Sequence, residues 1–365
     1  METDDGATLN RLIPAPIGGL LVLVLVLGAA LLLREVSDLA VPLLCGGFLA
    51  LLAWPLLAAL ERARIPSAIA LALTTLVMLA IVVGGFAILA VSLGELVALV
   101  PTYEDRLQQL IESIRATLGQ LGIATERDTI LGAVAPEELA ARAQAVASSV
   151  SNAGATGVVI ALTMIFTLAG ASGLQERAAR LFGSDHPIIA GATRFGANAR
   201  RYLLVRAQLG LFAAVLSFIL LLVLGIPLPA LWASLVFAAS FIPNVGALIA
   251  LIPPTLLALL DGGIGSTVAV VVGYGVINFL QDNLVQPMAL GSQLNLTPLV
   301  GFLGFIAWAW VFGAAGAILA IPLTLALSEI LEAFPSTRGL SALMRNDESD
   351  AAASPDPAGV APAGA

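Results

Sequence analysis

Long apolar runs separated by short arginine-bearing connections dominate the chain. Ile17 to Leu33, Leu39 to Leu60 and Ala68 to Leu93 reach the roughly 17 to 25 residues a helix needs to cross a bilayer. Thr156 to Ala171, Ala207 to Leu224 and Ile264 to Leu280 are shorter, and flanking residues extend each into a further crossing. Pro42 and Pro55 inside the second run predict a kink, because each removes a backbone donor. The expected fold is all-α: a polytopic integral membrane protein with about six simple spans.

Two further apolar regions are interrupted, and they are versions of one another. Phe241-Ile242-Pro243-Asn244-Val245-Gly246 leads into a small apolar run closed by Pro253, and Phe312-Gly313-Ala314-Ala315-Gly316 leads into one closed by Pro322. The entry prolines Pro229 and Pro298 and the closing prolines are offset by 69 residues, and Gly246 and Gly316 by 70. Pro229 to Ile242 is 14 residues, about 21 Å as helix, short of the roughly 30 Å hydrocarbon core. Two re-entrant helical hairpins, 229–260 and 299–331, are therefore expected, with one long kinked span for each as the alternative. The single crossing between them would make them enter from opposite faces. Paired interrupted segments of this kind point to a transporter's substrate site.

The interval 94–149 between the third and fourth spans is polar and helical in pattern. Leu107, Leu110, Ile111, Ile114, Leu118 and Leu121 share one face at three- and four-residue spacing. A second helix is expected to begin at Pro136-Glu137-Glu138, with proline and acids in its first turn. The frame is then a tail 1–16, three spans over 17–93, an external helical region 94–149, a membrane transport region 150–333 and a tail 334–365. The Ala-, Pro- and Gly-rich end from Ser349 cannot bury enough surface to order itself.

Composition fits a membrane protein: 59% of residues are hydrophobic, 11% are charged, and the mean hydropathy is +1.01. The acidic N-terminus lacks the basic region of a secretory signal, so the first apolar run is read as a retained span. Arg62, Arg64, Arg177, Arg180, Arg194, Arg200, Arg201 and Arg206 fall on one side of the predicted spans, which places that side and both termini in the cytoplasm. All 16 basic residues are arginine, so no Walker A lysine exists to hold a nucleotide phosphate. The lone Cys45 excludes an internal disulfide, and the single His186 falls in a loop. No nucleophile elbow or metal-ligand spacing is present, so neither an enzyme, a metal, a cofactor nor a nucleic-acid partner is expected.

Candidate chemistry gathers at the end of the crossing between the broken segments. Asn278, Gln281, Asp282 and Gln286 share one helix face, with Asn283 beside them and Pro287 ending the helix. Such a stripe suits a small polar solute or a cation, and equally a hydrated interface. Asp282 is the candidate for exchanging a proton or sodium. Pro243, Asn244 and Gly246 form one tip and Gly313 to Gly316 the other. Arg200, Arg201 and Arg206 read as interfacial anchors beside the lipid bilayer.

From Tyr202 onward the chain resembles the autoinducer-2 exporter family of bacterial membrane permeases. The motifs are Phe241 to Gly246 with Ile252-Pro253-Pro254, Asn283 with Pro287 and Gly291, Leu296-Thr297-Pro298, and Phe312 to Gly316 with Ala320-Ile321-Pro322-Leu323. Asn244, Trp308 and Trp310 resemble the pheromone-exporter branch. The resemblance implies a multi-pass protein of the bacterial inner membrane that exports a small polar solute, with an autoinducer-2-like signal as the leading candidate. It also implies a homo-oligomer, a pentamer being one arrangement. Relatives often carry an acid close to the Asn283 position, which here leaves Asp282 as the only carboxylate. A sodium/proton antiporter and, in another class, a non-transporting membrane scaffold are the alternatives.

Overall fold

The computed structural model describes residues 15–103, 105, 106, 108, 109, 112, 136–183, 186–242, 245–286 and 296–345. The apolar face of the helix predicted at 107–121, both tails beyond these limits, and Pro243, Asn244, Pro287 and Gly291 lie outside them. Every regular element among the described residues is helical: α1 (Ala15–Glu35), α2 (Ser37–Arg62), α3 (Ser67–Leu99), α4 (Pro136–Phe182), α5 (Pro187–Val223), α6 (Pro229–Ala239), α7 (Gly246–Leu280), α8 (Pro298–Ile318), α9 (Ala320–Ala333) and α10 (Arg338–Met344). Large side chains such as Phe166 on α4 (72% exposed) and Val223 on α5 (79% exposed) point outward. This all-α, polytopic arrangement presents lipid with the apolar surface that water would not tolerate.

Two elements differ from the sequence expectation. The helix that starts at Pro136 does not stop at the polar boundary but continues for 47 residues to Phe182, because helix propagation costs little once a nucleus exists. The second apolar run forms one helix from Ser37 to Arg62 with Pro42 and Pro55 inside it. His186 is not a plain loop residue: it is the N-cap of α5, its ring accepting from the Ile188 backbone N–H at 3.4 Å.

Counted end to end, α7 and α8 are long enough to span a membrane. Within each, however, the backbone breaks at a glycine. Gly263 (φ 69°, ψ −161°) and Gly313 (φ 62°, ψ −141°) occupy conformations from which a Cβ is excluded. The break in α7 is a reversal. Residues 247 and 282 would be about 50 Å apart on a straight helix, yet Ala247 and Asp282 line one cavity.

The chain thus forms two helix pairs from the repeated segments. In the first, α6 packs against residues 246–262; in the second, residues 298–312 pack against 314–333. The repeat is visible in atoms. A Cβ on Gly246 would overlap the carbonyl oxygen of Ala239, and one on Gly316 the carbonyl oxygen of Trp308. Ala239 and Trp308 are 69 apart while the glycines are 70 apart, so the one-residue slip seen in the sequence falls inside the turn. On the return arms Thr255 bonds back to the Leu251 carbonyl and Thr324 to that of Ala320, each at 2.7 Å and again 69 apart.

Helix α5 is the spine on which both pairs sit. Its C-terminal half, with Ala213, Ala214 and Leu221, shares a core with α6 and both arms of α7. Its N-terminal half, with Ala199, Tyr202 and Leu203, shares one with Val311 and Phe312 of the second pair and Phe48 of α2. Phe241, at the first tip, packs against this second core. The pairs therefore approach along α5 from opposite ends, and their tips adjoin near its middle.

Each pair is pinned at its base by arginine. Arg106 donates to the Leu260 carbonyl at 3.0 Å and pairs with Asp261 at 2.9 Å. At the other base Arg194 of α5 reaches Glu329 (3.1 Å) and Glu332 (3.2 Å), and Arg345 reaches Glu329 (3.1 Å) and Glu332. Helix α10 completes this base, with Ser341 bonded to Ser328 and the Thr297 N–H donating to the Met344 carbonyl.

Candidate functional site

Where the first tip meets α5 and the end of α7, a cavity of about 270 Å³ opens. Three elements build its wall. The first-tip residues Ile242, Gly246 and Ala247 supply one side, and Gly246 holds its place by lying directly on the Ala239 carbonyl. Helix α5 supplies Arg206, Ala213 and Ser217, which recur at seven- and four-residue spacing on one face. The third side is the polar stripe.

The stripe owes its register to a π turn over Gln281–Val285, in which the Gln286 N–H bonds to the Gln281 carbonyl five residues back. Such single-turn widenings concentrate at functional sites. The extra residue brings Gln286 beneath Gln281, so that Asn278, Gln281, Asp282 and Gln286 all face the cavity. Asn283 turns away; its amide donates to the Phe279 carbonyl of its own helix at 3.0 Å. Of the other sequence candidates, Gly246 lies in the wall, whereas Gly313 and Gly316 form the neighbouring second tip and do not line the cavity. Pro243, Asn244 and Pro287 are among the positions not described.

Several wall residues escaped the sequence reading, three of them with a buried polar atom that has no hydrogen bond to a described residue. Arg206 had read as a lipid-interface anchor like Arg200, which does lie over the Trp54 ring at 6.0 Å. Arg206 instead lies over the Tyr202 ring at 5.7 Å, with its buried Nε making no hydrogen bond to a described residue. Ser217 and Tyr274 are the other two, 0% and 3% exposed. Their hydroxyls approach each other without reaching hydrogen-bond geometry. A signal existed for each: Arg206 begins the small-residue face of α5 on which Ser217 lies, and Tyr274 extends the Asn278 stripe by one turn.

Buried polar atoms in native proteins nearly always find partners. The cavity is edged by these two hydroxyl side chains, the Arg206 guanidinium and the amides of Asn278, Gln281 and Gln286. Its size falls just below the roughly 300–1,000 Å³ of ordinary ligand pockets.

The family model described as AI-2E family transporter matches residues 20–336. The chain belongs to the AI-2E transporter family. It is 26% identical over 312 residues to the AI-2 transport protein TqsA of Escherichia coli K12, covering 86% of this chain and 91% of that one. A putative transport protein of Haemophilus influenzae is 28% identical over 318 residues, with the same coverages. A further relative, the putative transport protein MT0215 of Mycobacterium tuberculosis, is 29% identical over 301 residues, 80% of this chain and 81% of its own. The match spans both helix pairs and the spine, so this AI-2E family member is a multi-pass membrane transporter of a small solute, as the resemblance of its broken segments implied.

Proposed function

We propose that this transporter is a secondary exporter of a small polar solute, with an autoinducer-2-like signal as its cargo. The observation that carries the reading is the convergence of the first tip, the Asn278–Gln286 stripe and α5 on one small polar cavity. The relative whose name states AI-2 transport supports the choice of cargo. In this reading the two helix pairs are re-entrant hairpins that enter from opposite faces, which their approach from opposite ends of α5 supports. Helix ends and irregular backbone at membrane depth are tolerable where protein buries them or a cavity solvates them, as at the first tip, where buried Gly246 forms part of the cavity wall. The arginine-rich connection before α5 and both termini lie on the cytoplasmic side. With no lysine to build a phosphate loop, the drive comes from a gradient rather than from nucleotide bound to this chain.

Asn278→Ala and Gln281→Ala each remove one polar contact to the guest, and a hydrogen bond contributes about 1 kcal/mol net. Each variant should lower signal efflux several-fold when restored to a deletion strain, at unchanged membrane abundance. Efflux equal to that of the native chain in both variants would remove the cavity from the route.

A further inference from the structure

Resting on the transporter reading, we infer that Asn283 is a positioning residue of the solute site. It faces away from the cavity, and by holding the π turn over Gln281–Val285 it keeps the Gln286 side chain in the cavity wall.

The turn decides where Gln286 stands. Five residues of α-helix sweep about 500°, which would put Gln286 about 140° around the helix from Gln281. The Gln286 N–H closes instead on the Gln281 carbonyl, five residues back, and both side chains line the cavity. Relaxation of the turn to α geometry would swing Gln286 by about 100°, from beneath Gln281 to the flank of the stripe. A glutamine amide carries both donors and an acceptor, so the swing would take two-way hydrogen bonding away from a small polar solute.

A widened turn has to be held. It takes one residue more than the ladder it interrupts, so a carbonyl beside it loses its α-type donor, and an unpaired backbone group is costly away from water. Asn283 is the middle residue of the turn and is exposed, yet its amide folds back onto the helix: Nδ2 donates at 3.0 Å to the carbonyl of Phe279, in the last α turn before the widening. A carbonyl only accepts, so the NH2 end of the amide is the end that must face it. Asparagine is also a poor interior residue for an α-helix, because its side chain competes with the ladder for backbone partners. The next part of the sequence favours the wider turn as well. Residue 287 is proline, which has no N–H to continue the α ladder to the Asn283 carbonyl.

The test uses two side chains of equal shape. Thr255 and Thr324 show that a threonine hydroxyl in this chain reaches the carbonyl four residues back, at 2.7 Å in each case. Asn283→Thr therefore restores a donor to Phe279, whereas Asn283→Val has the same branched outline and no donor. In the full-length chain with Cys45, its one cysteine, changed to serine, spin labels at Ala247→Cys and Gln286→Cys report the distance across the cavity by pulsed electron paramagnetic resonance. Asn283→Val should lengthen that distance by about 8 Å, the chord of a 100° swing at a helix radius of about 5–6 Å. Asn283→Thr should leave it as in the parent. Efflux of the signal from a deletion strain, measured without the cysteine substitutions and at equal membrane abundance, should fall roughly two- to tenfold in Asn283→Val, the range of one hydrogen bond, and recover in Asn283→Thr. An unchanged distance in Asn283→Val overturns the inference, and so does native efflux from a chain whose distance has lengthened. Threonine and valine variants that behave alike overturn it too, because the donor would then be immaterial. The distance is read without cargo, which separates the two levels: if the native chain exports no signal, the transporter reading fails, and the distances still decide whether Asn283 holds the turn.

Discussion

Gly246→Ala and Gly316→Ala should each abolish transport while leaving a chain that still inserts. At both positions the added methyl would overlap a backbone carbonyl, of Ala239 in one tip and Trp308 in the other. A carbonyl on a helix cannot swing aside as a flexible side chain can, so the arms must separate by more than about an ångström. Overpacking of this kind costs about 1–3 kcal/mol, enough to deform a tip but not to unfold a membrane domain of this size. The first tip carries cavity wall; the second buttresses it through the core that includes Phe241 and Phe312. Flux at matched membrane abundance is the measurement. Gly339→Ala, where a methyl meets no atom, should behave as the native chain, and equal flux in all three variants would refute the tight-turn account.

The second large effect concerns stability. Glu329 is buried, with 7% of its side chain exposed, and receives Arg194 and Arg345. Removing both arginines leaves a buried carboxylate without a cation, and breaking such a pair from one side costs about 3–5 kcal/mol. Arg194→Ala with Arg345→Ala should therefore lower the melting temperature sharply in detergent. Glu329→Gln added to that pair should recover much of the loss, since it removes the stranded charge and keeps the volume. A triple variant no more stable than the double would show that the arginines act by packing alone.

Some of this was legible in the chain because membrane depth leaves few options. Apolar length located the spans, and the 69-residue offset of Pro229 and Pro298 located both helix pairs, since two copies of one broken pattern are hard to obtain by chance. The Asn278–Gln286 stripe was legible for a related reason: polar groups beside apolar runs are conspicuous. Other features depend on contacts between distant residues. The Arg194 and Glu329 pair is separated by 135 positions, and nothing local marks it. Arg206 looked like its neighbours Arg200 and Arg201, because position on α5 relative to the first tip is a tertiary fact. The reversal at Gly263 and the π turn at Gln281 follow from how the arms pack. Neither leaves more than a glycine or an amide in the sequence.

On the proposed route the solute passes through the cavity under the first tip. Ala247 lines that cavity and is otherwise exposed, so Ala247→Trp fills the space without displacing a core residue. Val223→Trp, at the outward-facing end of α5, adds the same bulk elsewhere. Efflux of the autoinducer-2 signal is measured in a deletion strain carrying either variant or the native chain at equal membrane abundance. Ala247→Trp alone should lose at least tenfold, about 1.4 kcal/mol or more. Native efflux through Ala247→Trp would contradict it.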